Sequence, residues 1–208
     1  MAYLCRSGRA SILPGSSLRA ERRIQPHPCG ITSRPELTRD APPGSFFTQA
    51  RYRNLVDYAA ARLITVVPEI DMPGHSTAAI AVCPELTSQE TSALAQSSEE
   101  MLAKLIAGEI RPLRLEPGRA EVWRFVDDVI AEVAALTPVR FIHVGGDGAF
   151  GMPAKDHGDF VARARELVRA HGKEPMGWQE TARVPAEPAK SPSSGSTKSW
   201  HRTRSIPS

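Results

Sequence analysis

Apolar residues recur three and four positions apart at Tyr52, Leu55, Val56, Ala59 and Leu63, which is the spacing of one face of an α-helix. Thr48 stands just ahead, where a side-chain oxygen can cap the first turn. Residues 64–67 follow at once as a β-branched run. Such a run predicts a parallel strand covered on both faces, with Pro68 ending its regularity. The same order returns twice. Val122, Val126, Val129, Ile130 and Val133 form a second helical face, Thr137 and Pro138 break it, and 141–144 reads as the next buried strand. Phe160, Ala164, Leu167 and Val168 form a third face, Gly172 reads as its left-handed stop, and 175–178 as a short strand. Three helix-then-strand units in a row predict an α/β fold with a parallel sheet or part of a barrel. Residues 84–118 are less regular, with helix expected over 99–107.

The 208 residues carry 26 Lys+Arg against 23 Asp+Glu and are 41% hydrophobic, which excludes collagen, coiled coil and wholesale disorder. The small net charge is uneven: residues 1–30 hold Arg6, Arg9, Arg19, Arg22 and Arg23 against Glu21 alone. This arm has no aromatic interleaving and no nucleic-acid-binding signature, so a solvated, disordered arm is expected and no nucleic-acid partner. It also lacks the apolar core of a secretory signal. Residues 185–208 mix Pro185, Pro188, Pro192 and Pro207 with serines, and read as a tail without fixed fold. That leaves 31–184 as the folded domain. No stretch reaches the 18 or more apolar residues of a membrane span. Cys5, Cys29 and Cys83 lack CxxC spacing and are expected as free thiols.

In parallel α/β folds, chemistry sits past the carboxyl ends of the strands. Those positions hold Glu69, Asp71 and His75 after the first strand, His143 and Asp147 at the second, and Trp178 and Glu180 at the third. Taken singly, each could cap a turn or pack in a core. Their convergence on equivalent strand ends points to a site.

VVPEIDMPGH at 66–75 and FIHVGGD at 141–147 resemble the signature loop and catalytic strand of glycoside hydrolase family 20, the β-N-acetylhexosaminidases. MGWQE at 176–180 and PELT at 35–38 resemble its next strand and the approach to its first helix. The resemblance covers roughly 31–180. It implies a (β/α)8 TIM barrel, present here as an incomplete set of three to four βα units with disordered ends. It further implies removal of terminal β-linked N-acetylglucosamine or N-acetylgalactosamine from glycans, without metal or other cofactor and with retention, the substrate's 2-acetamido oxygen acting as nucleophile. By the same resemblance, Asp147 orients the acetamido group, and His75 sits beside the general acid. His143, Asp71 and Glu180 support the pocket, Trp178 lines it, and Trp200 corresponds to a further pocket tryptophan. The acid itself, a Glu in the family, is Gly148 here.

Glycine cannot donate a proton, so hydrolysis is expected to be weak or absent, and restoring the acid by Gly148→Glu to raise it. The family strands with an Arg, an Asp and a Tyr for the sugar have no counterpart in this sequence, so a partial catalytic domain is expected. Two other readings stand beside this one: a non-catalytic N-acetyl-sugar-binding remnant, and a metal-dependent hydrolase using Glu69, Asp71, His75, His143 and Asp147.

Overall fold

The computed structural model describes residues 2–6, 9–12, 16–17, 29–39, 44, 46–89 and 113–183. The helix expected over 99–107, the tail from 185 and Trp200 lie outside them. The strands are β1 (Ala2–Arg6), β2 (Arg9–Ile12), β3 (Ser16–Ser17), β4 (Val66–Met72), β5 (Phe141–Gly145) and β6 (Glu174–Met176). They form one sheet in the order β3-β2-β1-β4-β5-β6. β1, β4, β5 and β6 run parallel, while β2 and β3 join as antiparallel neighbours at one edge. The helices are α1 (Gln49–Ala60), α2 (Thr77–Val82), α3 (Ala120–Leu136) and α4 (Ala154–Ala170). Among the described residues no helix is long and apolar enough to cross a membrane.

Two strands depart from the sequence pattern. β4 begins two residues later than its β-branched run and continues through Pro68 to Met72. A proline removes one N–H, and pairing is carried around it: Val67 opposes Tyr3 on one side, Glu69 opposes His143 on the other. The consequence is functional, because the extension carries Glu69 and Asp71 as strand residues. β1 differs from the structureless arm that composition predicts: Ala2, Tyr3 and Leu4 pair with Val66, Val67 and Pro68, occupying an edge of β4 that would otherwise be open.

The helices follow their sequence faces. Val122, Val126, Val129, Ile130 and Val133 of α3 are buried, as are Phe160, Ala164 and Val168 of α4. They pack on Ile70 and Met72 of β4 and Ile142 and Val144 of β5 as one core. Each of these side chains larger than alanine contributes about 1.5–3 kcal/mol on burial. α1 forms a smaller cluster with Val66 and Leu136, where the Tyr52 hydroxyl meets Thr137 Oγ1 at 2.8 Å. Glu132 of α3 gathers the segment before α1, accepting from the Ser33 N–H at 2.8 Å and its hydroxyl at 2.7 Å. Burial pushes this carboxyl up, but the hydrogen bonds from Ser33 and Thr32 outweigh it and hold the group below its usual range.

α1 starts as expected, with Thr48 Oγ1 accepting the Arg51 N–H at 3.2 Å. Its end matches that of α4. Lys173 N–H bonds Val168 O and Gly172 N–H bonds Arg169 O, with Gly172 at φ 73°. In α1, Ile64 N–H bonds Ala59 O and Leu63 N–H bonds Ala60 O, with Leu63 at φ 58°. Both are Schellman ends, and the left-handed position favours glycine. Leu63 is 98% exposed and gains nothing from packing. Leu63→Gly is therefore expected to stabilise the protein by about 1 kcal/mol in denaturant unfolding, by removing the left-handed penalty of a side chain.

Candidate active site

β4 and β5 end side by side, Met72 opposite Gly145. Beyond β4 the chain turns through Pro73 and Gly74 to His75, which adopts φ 54°. For a non-glycine residue this conformation costs about 1–2 kcal/mol and persists where its surroundings impose it. Here the Ser76 hydroxyl donates to Pro73 O and Gly74 O, and Leu115 N–H bonds Pro73 O at 2.9 Å. Beyond β5, Gly145, Gly146 and Gly148 all have positive φ, which gives the loop carrying Asp147 its sharp course. The two loops touch backbone to backbone: a Cβ on Gly74 would lie 2.3 Å from Asp147 O.

This contact brings the sequence-predicted residues together. His75 Nε2 lies 3.8 Å from Asp147 Oδ2, with the two side chains 37% and 22% exposed. Asp71, His75 and Asp147 each offer an atom within 4.8 Å of the others. The Asp71 carboxylate lies against Gly145, where an added Cβ would sit 1.8 Å from its Oδ1. Gly148 faces the His75 ring: a Cβ there would lie 2.4 Å from Nε2.

Behind this cluster, Trp178 is held at three points. Its indole N–H donates to Glu69 Oε1 at 2.7 Å, its backbone N–H donates to Gly145 O at 2.8 Å, and its ring meets His143 edge-on at a centroid distance of 4.7 Å. His143 Nδ1 accepts the Gly145 N–H at 3.1 Å. Gly145 thus connects Trp178 and His143 to the loop of Asp147. The sequence places Glu69 among the strand-end carboxylates and in the metal set, and in the structure it is the buried carboxylate that fixes the tryptophan. Three further residues carry no sequence signal for their role. His157 of α4 hydrogen-bonds Gly146 O at 2.8 Å, the Thr181 methyl lies against Gly146, and Arg165 donates to Thr181 O at 2.9 Å. Together they buttress the peptide just before Asp147. Glu180, expected in the pocket, is exposed in the short 3₁₀ turn Gln179–Arg183.

The chemistry of the set is polar and anionic. Cys83 is a buried thiol beside Glu36. Burial, then Glu36 and Glu85, pushes its pKa up to about 12. Of the five residues of the metal reading, Asp71, His75 and Asp147 converge, while Glu69 is committed to Trp178 and His143 to Gly145. The three donor atoms lie within 4.8 Å of one another.

Comparison with known proteins agrees with this geometry. The sequence profile of glycosyl hydrolase family 20, catalytic domain, matches residues 22–155. A β-N-acetylhexosaminidase of Cellulomonas fimi is 35% identical over 165 residues, covering 76% of this chain and 32% of that protein. A β-hexosaminidase of Porphyromonas gingivalis is 35% identical over 154 residues, covering 65% of this chain and 19% of that one. Among solved structures, the N-acetyl-β-hexosaminidase of Streptomyces plicatus superposes with a TM-score of 0.63 at 33% identity, over 78% of this chain and 32% of its own. The chain thus spans about a third or less of the length of these relatives. The matched profile, the superposition and the strand-end cluster agree that the chain belongs to glycosyl hydrolase family 20, as part of its catalytic domain.

Proposed function

We propose that the chain holds a terminal N-acetylhexosamine of a glycan at the ends of β4 and β5, and that its parallel strands are part of a (β/α)8 barrel. The observation that carries this reading is the pairing of Asp147 with His75 across two loops locked at Gly74, beside an aromatic wall anchored by Glu69. An acetamido group has an N–H that a carboxylate accepts and a methyl that an indole covers. Asp147 takes the N–H, and the positive charge that develops on this nitrogen when the acetamido oxygen attacks the anomeric carbon is stabilised by the same carboxylate. The product retains its configuration, because the substrate's own amide supplies the first displacement. Gly148 supplies no proton to the departing oxygen, so turnover of ordinary glycans is slow unless another group gives one.

The test is titration calorimetry with N-acetylglucosamine and with glucose, which lacks the acetamido group. The chain is expected to bind the first and not the second, and Asp147→Ala to weaken binding tenfold or more, the loss of about one charged hydrogen bond. No heat with N-acetylglucosamine, or equal affinity for both sugars, overturns the reading.

A further inference from the structure

We infer that His75 serves as the general acid in place of the carboxyl that Gly148 cannot supply; the inference rests on the acetamido-sugar reading of this site. The space beside residue 148 is taken by the His75 ring. A Cβ at Gly148 would lie 2.4 Å from Nε2, 2.6 Å from Cδ2 and 3.2 Å from Cε1. Nε2, the nitrogen that can carry a transferable proton, therefore sits where a side chain from position 148 would begin. It sits there in a left-handed backbone conformation that the surrounding hydrogen bonds impose. The side chain is 37% exposed.

Asp147, from the loop after β5, and Asp71, from the end of β4, stand near it among the described residues. Imidazole titrates nearest neutrality of the ordinary side chains, which suits it to give a proton in one step and take it back in the next.

The step balances as follows. The acetamido oxygen bonds the anomeric carbon while the bond from that carbon to the aglycone oxygen breaks. The electron pair of the broken bond goes to the aglycone oxygen, and the proton on His75 Nε2 follows it. Neutral imidazole and an oxazolinium ion remain. Water then adds to the anomeric carbon, its proton passes to Nε2, and the acetamide re-forms as its oxygen leaves.

The experiment compares kcat/KM of the 208-residue chain and of His75→Gln on two N-acetylglucosaminides. One carries dinitrophenolate, which departs without a proton; the other carries phenol, which needs one. His75→Gln is expected to lower the phenyl rate at least about thirtyfold more than it lowers the dinitrophenyl rate. The phenyl rate of the unaltered chain should also fall with rising pH as the imidazole loses its proton, while the dinitrophenyl rate stays level. Equal losses on both substrates would assign His75 a structural role and overturn the inference, as would no loss on either. If neither substrate turns over while N-acetylglucosamine still binds, the acid role falls and the sugar-binding reading stands. If nothing binds and nothing turns over, both fall.

Discussion

Gly74→Ala is expected to destabilise the protein by about 1–3 kcal/mol and to weaken N-acetylglucosamine binding at least tenfold. The added Cβ would lie 2.3 Å from Asp147 O, 2.6 Å from Gly148 C and 2.8 Å from Gly148 O. All three are backbone atoms, so no side chain can swing aside to make room. The loops after β4 and β5 must separate, and with them the pair His75 and Asp147, which now stand 3.8 Å apart. Chemical denaturation measures the first effect and calorimetry the second. A loss of stability under about 0.5 kcal/mol with unchanged affinity would show that the loops are not in contact.

Gly148→Glu is the second large effect, and here the structure alters what the sequence alone suggests. From the family pattern, restoring the acid should raise hydrolysis, by as much as the hundred- to ten-thousandfold that general acids contribute. But Gly148 has φ 69°, and its Cβ position is occupied by the imidazole of His75. The new side chain must both accept a left-handed backbone, at about 1–2 kcal/mol, and expel the ring. The variant is therefore expected to unfold at lower denaturant concentration. Its phenyl N-acetylglucosaminide rate should rise less than about tenfold, since one acid is exchanged for another. A hundredfold gain would show that the loop rearranges freely and that His75 contributes little.

What could be read from the sequence was local. The Thr48 cap, the Gly172 stop and the apolar faces of α3 and α4 depend on neighbours within a few residues, and they appear as predicted. The strand-end loops were legible through short motifs, and those motifs place Asp71, His75 and Asp147 together. Other features depend on partners distant in the chain. Glu69 and Trp178 are separated by 109 positions, and no spacing rule joins an indole to that carboxylate. Pro68 reads as a strand terminator until the neighbours on either side of β4 are known. Leu63 takes a left-handed position that favours glycine although it is exposed, and nothing in the structure explains the choice. Arginine-rich composition masked the pairing of β1 with β4. Glu180 follows Trp178 by two residues, but the 3₁₀ turn carries it out to solvent.

The measurement that bears most directly on the whole account is the amide and indole spectrum of isotope-labelled protein titrated with N-acetylglucosamine. If the sugar lies between Asp147 and the tryptophan wall, the Trp178 indole N–H and the Gly145, Gly146 and Asp147 amides shift together and saturate with one affinity, while the Trp123 indole, hydrogen-bonded to Pro117 O, stays in place. Saturable shifts confined to other parts of the chain, with these four signals unmoved, would contradict it.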